Sequence, residues 1–199
     1  MLYDVAIIGA GVVGGLIARE LSRHRLKIVM VERSHDVAMG TTKANSAIVH
    51  AGYDAECGSL KAKLNVEGSR MMESLCRKLG VKYLRNGSLV VAYRPQDMER
   101  IGKLYERGKK NGVEGLEILD TEKLHQMEPS LSQEAVGALF APSGAIVCPY
   151  ELNIAAVGNA MDNGAELLLD WEVTKITEDG DGYTLWSGEN HLSARYVIN

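Results

Sequence analysis

The segment Tyr3–Glu32 constrains the fold more than any other part of the chain. Asp4-Val5-Ala6-Ile7-Ile8 is an apolar run after a single acid, the pattern of a strand covered on both faces. Gly9-Ala10-Gly11-Val12-Val13-Gly14 follows as G-x-G-x-x-G, and a helix is expected from Val12 to about Arg25. Lys27-Ile28-Val29-Met30-Val31 reads as a second strand, closed by Glu32, 18 positions after Gly14. Gly9 permits a sharp turn from strand to helix, and Gly11 lets backbone approach a pyrophosphate closely. Gly14 allows close packing of helix on sheet, and the helix N-terminus offers unpaired N–H groups to phosphate. An acid at Glu32 can accept hydrogen bonds from a ribose diol. Strand, turn, helix and acid in this order form the dinucleotide-binding fingerprint in its structural context, and they predict an α/β, Rossmann-type domain.

The bulk properties narrow the setting. Hydrophobic residues make up 46% and charged residues 24%, an ordinary globular balance, and a net charge of −4 without a basic run speaks against nucleic-acid partners. The three cysteines, Cys57, Cys76 and Cys148, include no C-x-x-C pair, so neither a disulfide framework nor a metal or iron–sulfur site is expected. No apolar run reaches the length of a membrane span, and a strand starts within three residues of Met1. The expected location is the cytoplasm, or the inner face of a membrane as a peripheral protein.

Further along, the spacing of Leu60, Leu64, Met71, Met72, Leu75 and Leu79 predicts a helix over 59–79 with these residues as its apolar face. Asn86-Gly87 inside 81–92 predicts a β-hairpin. Helices are expected over 96–111 and from Pro149 to Asn163-Gly164, the latter with Leu152, Ile154, Ala155, Ala156, Ala160 and Met161 as its apolar face. Residues 172–198 read as three strands with a turn at Asp179–Gly182. This order suggests a discontinuous nucleotide-binding domain of residues 1–80 and 145–199, carrying an inserted, mostly antiparallel region of residues 81–144. Tyr196-Val197-Ile198-Asn199 ends the chain inside a strand, so a part of a longer protein is expected.

The N-terminal residues Tyr3–Gly14 resemble flavoproteins of the D-amino-acid-oxidase (DAO) superfamily. Gly40-Thr41-Thr42-Lys43-Ala44-Asn45-Ser46-Ala47-Ile48-Val49-His50-Ala51-Gly52-Tyr53-Asp54 and Gly58–Leu64 are similar to the anaerobic-type glycerol-3-phosphate dehydrogenases and the L-2-hydroxyglutarate dehydrogenases. Similarity continues through Val136–Leu139, Pro149–Leu152 and Ala194–Asn199. The resemblance implies FAD, an incomplete FAD-binding domain with an inserted part of a substrate domain, and oxidation of a small hydroxy compound by hydride transfer. Carried over residue by residue, Gly9, Gly11 and Gly14 would meet the pyrophosphate. Glu32 would hold the adenosine ribose, with Arg33 beside the adenine. Thr41, Thr42, Asn45 and Ser46 would lie along the pyrophosphate and ribityl chain, and Val173 would read the adenine edge through its backbone. Members of the family continue past the Val-Ile-Asn strand into further FAD-contacting segments.

His50 is the candidate catalytic residue. An imidazole suits proton transfer from a substrate hydroxyl near neutral pH, while a flavin carries the redox chemistry. A local structural role for His50 is the alternative. Tyr53, Lys61 and Arg85 are candidate substrate contacts, each with a packing or solvent-facing alternative. Glycerol 3-phosphate is the first substrate expected and L-2-hydroxyglutarate the second. Oxygen, a quinone or a partner subunit's redox centre are all open as electron acceptor. The fingerprint by itself also fits an NAD-dependent dehydrogenase, and the chain's end fits a truncated non-catalytic nucleotide-binding fragment.

Overall fold

The computed structural model describes residues 2–199, apart from the side chain of residue 179. In chain order the elements are β1 (Leu2–Ile8), α1 (Val12–Leu21), β2 (Ile28–Val31), β3 (Ile48–Val49), α2 (Leu60–Leu79), β4 (Tyr83–Leu84), β5 (Ser88–Ala92) and α3 (Asp97–Lys110). There follow β6 (Glu117–Asp120), α4 (Thr121–Met127), β7 (Gly137–Ala141), β8 (Ala145–Val147), α5 (Pro149–Asp162), β9 (Glu166–Leu168), β10 (Lys175–Asp179), β11 (Gly182–Ser187) and β12 (Asn190–Ile198). They pack as two compact units. The first holds the chain up to Ser46, Leu79–Val81 and Cys148–Asn199, and the second holds Ala47–Lys78 and Lys82–Val147. Residues 47–78, expected with the nucleotide-binding module, therefore pack in the second unit.

The first unit is built on a six-stranded sheet in the order β10-β11-β12-β1-β2-β9. β12, β1, β2 and β9 run parallel, and β10-β11-β12 form an antiparallel meander. All four residues of β2 are buried, which is why its sequence is continuously apolar rather than alternating. Val5, Ile7, Ile28 and Met30 face Ala18 of α1 and Val157 and Ala160 of α5. On the other face, Ala6, Val29 and Val31 pack with Leu185, Leu192 and Ala194 of the meander. The two-residue period of the strands sorts these sets. Because β2 and β12 flank β1 on opposite sides, the carboxyl end of β1 is a switch point, the place where open α/β sheets leave a crevice.

One polar pair, a buried tyrosine with an exposed glutamate, links β1 to β9. The Tyr3 hydroxyl donates to Glu166 Oε2 at 2.7 Å. Burial first, and then the carboxylate, push the phenol up to about 12. Tyr3→Phe is expected to destabilise the fold by about 1 kcal/mol at neutral pH, measured by urea denaturation. The raised value means that this contribution is complete below about pH 10 and is lost as pH rises toward 12. The Phe variant should lack that part of the alkaline decline.

The second unit contains two antiparallel three-stranded sheets, β3-β8-β4 and β5-β7-β6. The hairpin predicted at Asn86-Gly87 does not form. β4 pairs with β8 and β5 pairs with β7, so the turn carries the chain from one sheet to the other. Gly87 does take the left-handed conformation that the dipeptide signals (φ +72°), but its N–H donates to Gly144 O at 2.9 Å. Pro142-Ser143-Gly144 makes the return crossing beside it, between β7 and β8.

Two helix faces also differ from expectation. α2 buries Ala62, Val66, Ser69 and Cys76 and leaves Leu60, Leu64 and Met71 exposed. Its small residues permit close packing, so size rather than hydrophobicity selects the inward face. α5 buries Leu152, Asn153, Ala156, Val157 and Ala160, while Ile154 and Met161 are exposed.

Candidate functional site

The glycine turn is held by hydrogen bonds to both faces of its peptides. Gly9 leaves β1 with φ +97°, and its N–H donates to Val31 O at 2.7 Å. The Ala10 N–H donates to Glu32 Oε2 at 2.9 Å. In a trans peptide the carbonyl points opposite to the N–H, so the Gly9 carbonyl is turned toward Gly14. A Cβ at Gly14 would lie 2.0 Å from that oxygen. The Ala10 carbonyl in turn accepts from Asn153 Nδ2 at 2.8 Å and from the Ala38 N–H at 3.2 Å. Ala38 is itself in the left-handed region (φ 60°) and is buried.

Gly11 is the N-cap of α1 and has no side chain to cap with. Thr42 supplies the cap from another segment, its Oγ1 accepting from the Val12 N–H at 3.0 Å. The loop that brings Thr42 there contains one 3-10 turn, Thr41–Lys43, and Asn45 Nδ2 closes it by donating to Thr42 O at 2.9 Å and Thr41 O at 3.3 Å.

Glu32 is the second anchor. Besides the Ala10 N–H, its carboxylate accepts from the Ser34 N–H at 2.9 Å through Oε1. Burial pushes the carboxyl upward, but the Ala10 and Ser34 hydrogen bonds, with Arg33 adjacent, outweigh it and hold the group below its ordinary value. The chain after β9 is pinned alongside, with Trp171 N–H donating to Glu32 O at 2.9 Å and Asp170 N–H to Ser34 O at 3.0 Å. Val173 follows two residues later with its side chain packed against the core of the sheet, and Arg33 is exposed.

A cleft of about 410 Å³ opens at the carboxyl ends of β1 and β12, and Glu32, Arg33 and Val173 are not among its lining residues. Gly9, Gly11, Gly14, Thr41, Thr42 and Asn45 line it, together with Val12, Val13 and Ile198-Asn199. Ser46 is exposed and is not part of the lining. Three glycines in the wall, the start of a ten-residue helix and, beyond the lining, an ionised acid at the end of β2 fit a dinucleotide.

The remaining predicted residues belong to the second unit. His50 is exposed, and its carbonyl accepts from Asn65 Nδ2 at 2.9 Å. Tyr53 is partly buried against both Val113 and Leu104 clusters. Lys61 is exposed on α2, and Arg85 pairs with Glu73 at 3.2 Å. Sequence reasoning missed Asn153 and Ala38. The available signal for Asn153 is a lone amide between Leu152 and Ala156 on a helix face that is otherwise apolar.

A mixed sheet with a parallel core of β12, β1, β2 and β9, this turn at its switch point and an acid closing the second strand define a dinucleotide-binding α/β domain. Over residues 4–199 the chain matches the FAD dependent oxidoreductase family, DAO, and it belongs to that family. It is 48% identical over 198 residues to a glycerol 3-phosphate dehydrogenase of Caloramator mitchellensis, covering 100% of this chain and 41% of the relative. It is 34% identical over 212 residues to the mitochondrial L-2-hydroxyglutarate dehydrogenase of Nematostella vectensis, covering 98% and 46%. Among solved structures, dithionite-reduced L-alpha-glycerophosphate oxidase from Mycoplasma pneumoniae with FAD bound superposes with a TM-score of 0.94 at 28% identity, over 99% of this chain and 53% of that one. Glycine oxidase from Geobacillus kaustophilus gives 0.90 at 25%, over 98% and 54%. The chain thus spans less than half the length of these two curated relatives. Membership of an FAD family sets aside the NAD-dependent reading. Among the described residues no helix is long and apolar enough to cross a membrane.

Proposed function

We propose that this protein oxidises the C–OH group of glycerol 3-phosphate to a carbonyl, with L-2-hydroxyglutarate as the second candidate substrate. The supporting observation is the 48% identity, across the entire chain, to a glycerol 3-phosphate dehydrogenase, against 34% to an L-2-hydroxyglutarate dehydrogenase. Bound FAD would supply a two-electron acceptor for the hydride. Gly9, Gly11, Gly14 and the first turn of α1 would hold the pyrophosphate, and Thr41, Thr42, Asn45 and Ser46 the chain leading from it. Glu32 would accept from the adenosine ribose through lone pairs that Ala10 and Ser34 leave open. Arg33 and the Val173 backbone would flank the adenine.

His50 would take the hydroxyl proton while bound FAD would serve as acceptor of the hydride, so that the substrate loses one hydride and one proton, two electrons and two protons in all. Asn65 holds the backbone carbonyl of His50 and so fixes the start of its loop. Tyr53, Lys61 and Arg85 would contribute to substrate binding, with the Arg85 charge shared with Glu73.

The test is a visible spectrum of the purified protein, followed by anaerobic addition of each substrate. Flavin bands that bleach with glycerol 3-phosphate are expected, and bands that bleach with neither substrate would refute the assignment. His50→Asn is expected to slow flavin reduction about 10²- to 10⁴-fold in stopped-flow measurements while FAD affinity is retained. Unchanged reduction kinetics would remove His50 from the chemistry.

A further inference from the structure

We infer that Asn153 is the positioning residue of the phosphate turn, aiming the Gly11 N–H into the dinucleotide cleft; the inference rests on the FAD reading above. Asn153 lies on α5 and is fully buried, 143 residues from the turn in sequence. Its Nδ2 donates to the Ala10 carbonyl at 2.8 Å. That carbonyl and the Gly11 N–H belong to one peptide plane and point in opposite directions. Drawing the oxygen toward α5 therefore sends the Gly11 N–H the other way, to the side where Gly11 lines the cleft.

The other groups around this peptide do not fix it alone. The Ala38 N–H reaches the same oxygen at the longer distance of 3.2 Å, and Glu32 holds the preceding peptide through the Ala10 N–H. The amide of Asn153 must present its nitrogen to Ala10, since the reverse orientation would set two oxygens against each other.

The same arrangement accounts for two further features. Asn153 Oδ1 is buried without a conventional hydrogen-bond partner, which is costly for a group with no other task. It lies over Gly15 of α1, where a Cβ would come within 2.6 Å of it. A Gly15 Cα hydrogen occupies that direction and gives the oxygen a weak donor. α1 thus carries a glycine at position 15 so that an amide from α5 can pass across it to the turn. A hydrophobic residue at 153 would pack as well on α1 but would leave the Ala10 carbonyl with the Ala38 contact only.

The experiment measures the FAD dissociation constant of the whole protein by flavin fluorescence, for wild type, Asn153→Leu and Asn153→Asp. Asn153→Leu keeps the branched heavy-atom skeleton and removes the donor, and it is expected to bind FAD at least about tenfold more weakly. Asn153→Asp repels the Ala10 carbonyl when ionised and donates an O–H to it when protonated. Its affinity relative to wild type is expected to recover as pH falls from about 8 to about 6, since burial raises a carboxyl. A merely structural role would move affinity only in step with the urea midpoint, whereas a positioning role lowers affinity at a pH where the Asp variant is still fully folded. Wild-type affinity in either variant at every pH, or an Asp variant whose deficit does not change with pH, would overturn the inference. If the Leu variant does not fold, the Asp titration decides alone. A wild-type protein without FAD affinity would instead refute the FAD reading on which the inference stands.

Discussion

Gly14→Ala is expected to destabilise the fold by about 3 kcal/mol, read as a lowered urea midpoint. The added Cβ would stand 2.0 Å from the Gly9 carbonyl oxygen and 3.2 Å from its carbon, both backbone atoms. Relief would require rotating the Gly9–Ala10 peptide. That rotation would withdraw the Ala10 N–H from Glu32, a hydrogen bond of 2.9 Å. Gly11→Ala is the informative contrast. Its Cβ would meet only Thr42 Oγ1, at 3.1 Å, and a hydroxyl on a side chain can move. The Gly11 variant should stay folded and lose FAD affinity, because its methyl group stands in the cleft wall. Equal stability losses at the two positions would show that the turn is not held as described.

Glu32→Ala is expected to lose FAD affinity and about 1–3 kcal/mol of stability together, since two backbone N–H groups lose their acceptor. Ala10 is fully buried, so water cannot replace the carboxylate there. Glu32→Gln should recover only part of either property. An amide presents one oxygen, and its NH₂ group must face the N–H of Ala10 or of Ser34. The pH dependence carries a definite sign. The Glu32 carboxyl is held below its ordinary value in the folded protein. Its contribution is therefore present above an unfolded-state value of about 4.3 and is lost as pH falls through the folded one. Denaturation measured from about pH 6 down to about pH 3 should show a steeper acid decline in the wild type than in Glu32→Gln. Parallel curves would exclude Glu32 as the group responsible.

Several elements were legible because the physics that makes them is local. The turn needs residues without Cβ atoms, α5 begins at Pro149 where a missing N–H is harmless, and α3 stops before Gly112 with φ +84°. The meander of β10, β11 and β12 follows from three strand patterns joined by short turns. Asn86-Gly87 shows the limit of such reasoning. The dipeptide favours a left-handed backbone, which Gly87 adopts, but conformation at one residue does not choose a strand's partner. β7 and β8 made that choice from far along the chain, by offering two sheets in place of one hairpin. α2 shows a second limit. A stripe of Leu60, Leu64 and Met71 is apolar, but the neighbouring Ala62, Val66, Ser69 and Cys76 are small enough for close approach and face inward.

The same division runs through the site. Gly9, Gly11, Gly14 and Glu32 could be named from the sequence because their spacing is imposed by one strand, one turn and one helix. What holds them could not be read there. The Glu32 carboxylate clasps the turn it was expected only to accompany, Thr42 caps a helix whose own N-cap has no side chain, and Asn153 reaches the Ala10 carbonyl from a helix at the other end of the chain. The sequence by itself determined a dinucleotide turn, since steric demands on consecutive residues are written in consecutive letters. Only the tertiary structure decided how each peptide of that turn is aimed, because the partners of its N–H and C=O groups are chosen by packing between distant segments.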